Sequence, residues 1–133
     1  MILILCIDEK GGLSFNHRRQ SKDTVLRDRI LQRTADSRLW MNGYSARQFR
    51  QAGDVTVSKH FLTRAAAGEY CFAEIDDFTD VLPEVEGWII YRWNRHYPAD
   101  RHFDVDLSAW RLVETNEFAG SSHEQITEEV YRK

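Results

Sequence analysis

The chain has 133 residues, with 18 basic against 21 acidic side chains, a net charge of −3 and 42% hydrophobic content. That length predicts one domain over residues 1–133, able to bury roughly two thirds of its unfolded surface without staples. The acid excess argues against nucleic acid or an anionic membrane as partner, and Cys6 and Cys71, each inside an apolar run, suit buried thiols in a reducing compartment, by default the cytoplasm.

Met1 to Ile7 is apolar but short, and Asp8-Glu9-Lys10 follow directly, so it fits neither a signal core nor a membrane span. Ile2 to Ile7 reads instead as a strand covered on both faces. Gly11 to Gln20 reads as a polar loop leading to Ser21 as N-cap, with Asp23 in the first turn of a helix reaching about Arg33. Val25, Leu26, Ile30 and Leu31 would form its inner face. Ser37 to Met41 is a short strand, Asn42-Gly43 a turn, and Ser45 the start of a helix ended by Gly53-Asp54. A brief strand at Val55 to Val57, a brief helix from His60 to Ala67 and a stop at Gly68 come next.

Tyr70 to Ile75 reads as a buried strand, and Asp76 to Glu86, with Pro83, holds about a helical turn. Gly87 to Asn94 is a second strong strand. After a polar connection from Arg95 to Leu107, Trp110 to Phe118 and Gln125 to Arg132 close the chain as strands, the last with Ile126 and Val130 set against Glu128 and Arg132. Early strand–helix units followed by strands predict an α/β fold with a mixed sheet.

The order of these elements resembles dihydrofolate reductase. The apolar strand, Gly12, Asn16 and Asp23 match its N-terminal pattern, and Met41-Asn42-Gly43-Tyr44-Ser45 is similar to its Met-Gly-Arg-x-Thr string. Ile89 to Tyr91, Asp100-Arg101-His102-Phe103, Trp110, Val113 and Ser122-His123 continue the likeness. The resemblance implies a mainly parallel sheet flanked by helices, with antiparallel C-terminal strands. It implies a pterin, folate or nucleobase-like ligand between the first strand and first helix, with Asp23 as the catalytic carboxylate. Cys6, Asn16, Arg18, Arg19, Gln20, Arg27, Met41 and Tyr91 would line the substrate, Tyr91 supporting Asp23. Gly12, Asn42 and Ser45 would face NADPH, making the chain a reductase.

Three departures bear on that chemistry. Arg18-Arg19-Gln20-Ser21 replaces the family's Pro-Trp pair and its two neighbours. Gly43 stands where the family's arginine meets the dinucleotide phosphates. Asp76-Asp77 replaces a glycine-rich turn that approaches the pyrophosphate. A carboxylate about 4 Å from a phosphate costs about 1 kcal/mol in water and about 4 at a protein surface. Arg18, Arg19 and Ser45 offer a relocated phosphate site. The competing reading is a non-catalytic interaction module that meets a protein or anionic partner through Arg18-Arg19 and residues 94–102. The predicted assembly is a monomer or homodimer.

Plainer readings accompany these features. Asp23 also suits an ordinary helix-start acid, Asn16 a turn and Arg18-Arg19 a solvated loop. His96, Asp100, His102 and Asp104 share a polar loop but lack metal-ligand spacing, so no metal is predicted. Ser122-His123, adjacent on a presumed strand, would point to opposite faces, which argues against a Ser-His-Asp arrangement.

Overall fold

The computed structural model describes residues 1–49 and 55–133, so the predicted helix end at Gly53-Asp54 lies outside the described residues. In chain order the elements are β1 (Ile2–Ile7), β2 (Gly12–Phe15), β3 (Arg18–Arg19), α1 (Thr24–Arg33), β4 (Leu39–Met41), α2 (Gly43–Ala46), β5 (Val55–Val57), α3 (Phe61–Arg64), β6 (Tyr70–Phe72), β7 (Gly87–Arg92), β8 (Arg101–His102), β9 (Arg111–Phe118) and β10 (Ile126–Arg132). A seven-stranded sheet runs β5-β4-β6-β1-β7-β10-β9, and a small second sheet runs β3-β2-β8. Pairing is parallel from β5 through β7, while β10 lies antiparallel to both β7 and β9.

The unbroken apolar run of β1 has its reason in this position. Ile2 and Ile4 pack with Leu26 and Ile30 of α1 on one face, and Leu3, Leu5 and Ile7 pack with Trp40, Phe61 and Trp88 on the other. Each such side chain, fully buried, contributes about 1.5–3 kcal/mol, so both faces anchor β1 at the centre.

Several local expectations are corrected. Residues 11–20 contain a hairpin: Asn16 and His17 have φ of 54° and 58°, the left-handed values that a two-residue turn between β2 and β3 requires. The cap of α1 is Asp23, whose carboxylate accepts from the amides of Val25 and Leu26; Ser21 is turned elsewhere. Val25 leaves the inner face and is 38% exposed. Asn42 caps α2, which begins at Gly43 rather than Ser45.

Glu128 is buried on the face of β10 that carries Ile126 and Val130, as a period of two demands. Its carboxylate receives paired bonds from Arg29 (2.9 and 2.8 Å) and Arg33 (3.2 and 2.7 Å), plus Tyr91 Oη at 2.8 Å. Burial alone would raise its pKa, but these donors win and bring it down to about 2. Tyr91 therefore supports Glu128, not Asp23.

Among the described residues no helix is long and apolar enough to cross a membrane, and both cysteines are free thiols.

Candidate functional site

Parallel strands present their carboxyl ends to ligands in α/β sheets, and here that end of β1 and β6 is plugged. Arg19, last in β3, reaches across to Glu74 just beyond β6, its Nε lying 3.2 and 3.0 Å from the two carboxylate oxygens and its Nη2 3.2 Å from one of them. The same guanidinium donates to the Tyr44 carbonyl (3.2 Å) and sits 4.2 Å over the Tyr44 ring. Gln48 supplies Glu74 with a further donor at 3.0 Å. The plug leaves a cavity of about 10 Å³ between Cys6, Leu13, Arg19, Gln20, Ser21, Ala73, Glu74 and Trp93, room for about one water.

Beside the plug the surface opens. A cavity of about 310 Å³ is lined by Phe15, Asn16, Arg18, Arg19, Gln20, Tyr97 and Pro98. Asp8, buried just past the end of β1, ties two of these lining residues together by accepting from the Tyr97 amide (3.1 Å) and Gln20 Nε2 (3.2 Å), and it also accepts from the amides of Gly12 (2.7 Å) and Lys10 (2.9 Å). Burial pushes its pKa up, but these four donors outweigh burial and hold it below the usual carboxylate value.

Gln20 Nε2 also meets the Pro98 carbonyl at 3.3 Å, so its amide orientation is fixed by two acceptors and Oε1 is left buried without a partner. Gly12 is required here: a Cβ would stand 2.6 Å from Gln20 Nε2 and 2.7 Å from Ala99 Cβ. Arg18 is exposed and makes no ion pair among the described residues. The two neighbouring arginines thus have different work, one in the plug and one at the cavity.

Asp23 lines neither cavity. Besides capping α1 it accepts from the amides of Ser121 (3.0 Å) and Ser122 (2.9 Å), from Ser122 Oγ (3.2 Å) and from His123 Nδ1 (3.0 Å). Desolvation would raise its pKa, yet His123 and the backbone donors take it far below the ordinary carboxylate range. An ionised Asp23 cannot donate, so the proton of this contact is on Nδ1, and the neutral form of His123 then carries its lone pair on Nε2. Ser21 Oγ lies 3.1 Å and Tyr97 Oη 2.9 Å from Nε2. Trp93 stacks on the imidazole at 4.4 Å and 25°. Gly120 lets the turn approach, because a Cβ there would collide with the Asp23 carboxylate.

Sequence reasoning thus missed a Ser-His-Asp grouping. Ser122-His123 sits in a bend rather than a strand, and the partners of His123 come from residues 21 and 23, about a hundred positions away. A glycine followed by Ser-Ser-His, with Ser-x-Asp before a helix, was the available signal.

Of the predicted site residues, Asn16, Arg18, Arg19 and Gln20 meet at the open cavity, and Cys6 meets Arg19 and Gln20 at the plug. Burial first, then the nearby Glu74, raises the Cys6 pKa well above the usual thiol value. Arg27 instead donates to the Gln48 carbonyl at 2.7 Å, and Met41 is wholly inside the core. Asn42 gives its amide to both oxygens of Asp76 (2.9 and 3.1 Å) and caps Ser45, whose own hydroxyl is buried. Asp100 accepts from the Asn16 amide at 3.0 Å. No group of three or more metal-ligating side chains gathers among the described residues.

No protein-family model and no curated protein matches the chain. Among solved structures it is similar to a dihydrofolate reductase from Enterococcus faecalis complexed with NADP(H) and RAB-propyl. The TM-score is 0.66 at 12% identity, over 98% of this chain and 94% of that one. The fold is dihydrofolate-reductase-like, a mixed and mostly parallel seven-stranded sheet with antiparallel C-terminal strands.

Proposed function

We propose that this dihydrofolate-reductase-like fold binds a small, planar, anionic molecule of pterin, folate or nucleobase type in the cavity at its rim, and does so without NADPH. The observation that carries the reading is the pairing of an open cavity of about 310 Å³ with a plugged cleft. That volume is at the low end for ligand sites, suited to a ring system and not to a dinucleotide. Phe15 and Tyr97 supply aromatic surface for a flat ring. Arg18 supplies a guanidinium for a carboxylate or phosphate. Gln20, its amide nitrogen tied to Asp8 and Pro98, forms a fixed polar edge of the same cavity.

NADP(H) belongs to the solved neighbour's complex, and among the described residues those at the strand ends do not fit it. The space beneath the Arg19–Glu74 pair is about 10 Å³, and the cap of α2 faces the Asp76 carboxylate. Burial raises the Asp76 pKa, but the Asn42 amide already occupies both oxygens.

A melting screen with a pterin carboxylate, folate, nucleobases and NADPH tests the reading. Stabilisation by the pterin carboxylate, lost in Arg18→Ala, together with no response to NADPH, is expected. Stabilisation by NADPH with dihydrofolate-dependent oxidation would overturn it.

A further inference from the structure

We propose that Ser21, His123 and Asp23 form a nucleophilic centre that transfers acyl groups from small carboxylic esters to water. Lodging the ester's remainder in the rim cavity rests on the preceding proposal; the nucleophile itself does not.

The geometry carries the assignment. Asp23 holds Nδ1–H of His123 at 3.0 Å and so aims the Nε2 lone pair at Ser21 Oγ, 3.1 Å away, the relation by which a carboxylate and an imidazole activate a serine. Fastening the 120–123 turn to α1 needs nothing beyond Asp23, because the Ser121 and Ser122 amides already bind it. The Nε2 side is surplus to that role.

Tyr97 Oη competes for the same lone pair at 2.9 Å and stands 3.4 Å from Ser21 Oγ. One lone pair accepts one proton, so when Ser21 donates to Nε2 the tyrosine hydroxyl is available to an incoming carbonyl oxygen, a donor role that Tyr fills in oxyanion sites. Tyr97 lines the rim cavity, Ser21 lines the residual one, and Arg19 and Gln20 line both, so the nucleophile adjoins the open space. Trp93 covers one imidazole face.

In the reaction Ser21 Oγ bonds to the ester carbonyl carbon as its proton moves to His123 Nε2. The tetrahedral adduct collapses with cleavage of the bond to the alcohol oxygen, which takes that proton and leaves. Water then gives a proton to Nε2 and attacks the acyl-serine, and Nε2 returns the proton to Ser21 Oγ. Ester and water become acid and alcohol, with no change of oxidation state.

The test treats the protein with p-nitrophenyl acetate and with a small alkyl fluorophosphonate, then reads intact mass and maps the modified peptide. A single adduct on Ser21 is expected, with labelling slowed roughly 10²–10⁴-fold by His123→Gln, a variant whose folding is checked by its melting curve. No adduct, or adducts elsewhere with Ser21 unmodified, overturns the proposal in the wild-type protein alone. Ligand binding without Ser21 labelling refutes this inference and leaves the preceding one standing; labelling without any bound ligand does the reverse.

Discussion

Arg19→Ala unplugs the cleft. The substitution removes the paired bonds to Glu74, the bond to the Tyr44 carbonyl and the guanidinium 4.2 Å over the Tyr44 ring. Deleting one member of a buried ion pair costs about 3–5 kcal/mol. Here the Arg19 side chain is 20% exposed against 7% for Glu74, and the vacated space admits water to the stranded carboxylate, which keeps Gln48. The expected loss is therefore smaller, about 2 kcal/mol, read by urea unfolding.

The sharper readout of that substitution is Cys6. Arg19 lines both the 10 Å³ and the 310 Å³ cavities, so its truncation joins them over the thiol. Losing the guanidinium raises the Cys6 pKa and admitting water lowers it; burial is the largest cause of the present shift, so water wins. A lower pKa gives more thiolate at neutral pH. Cys6 in Arg19→Ala should react roughly several-fold faster with a thiol-specific disulfide reagent, while buried Cys71, its pKa pushed up to about 12, stays inert as internal control. Unchanged Cys6 reactivity in a folded variant would refute the plug.

Gly120→Ala places a Cβ against the Asp23 carboxylate and 2.9 Å from Ile126 Cδ1, and should cost about 1–3 kcal/mol in urea unfolding; a neutral outcome would contradict the close approach. Tyr91→Phe should cost about 1–2 kcal/mol through the lost bond to Glu128, and equal stability would argue against that bond. For Glu128 the folded pKa, about 2, lies below the ordinary glutamate value of 4.5. Its stabilisation is therefore complete above about pH 4.5 and fades as pH falls through about 2. Glu128→Gln should be less stable near neutrality and should flatten the acid limb of the stability curve; an unchanged acid limb would count against the assignment.

The fold was legible where one physical signal dominated. β1 and β7 declared themselves by continuous apolar and branched residues, and the central sheet positions explain why. Long-range polar contacts were not legible. Asp23 reads as a helix-start acid in sequence, and only folding brings residues 121–123 onto it. The charge of Glu128 reads as solvent-facing although a period of two puts it with Ile126 and Val130; the burial of a charge there depends on Arg29 and Arg33 from α1. The paired arginines looked equivalent, yet alternation along β3 sends Arg19 to Glu74 and leaves Arg18 at the rim. Asp8 carries no such signal in sequence, because its four donors come from residues 10, 12, 20 and 97.

The most direct measurement is amide hydrogen exchange with and without a pterin carboxylate, and separately with NADPH. Slowed exchange at residues 15–20 and 94–98 with the pterin carboxylate and no protection with NADPH is the expected result. Protection by NADPH at residues 4–7 and 72–76, the strand ends now covered by Arg19 and Glu74, would contradict it.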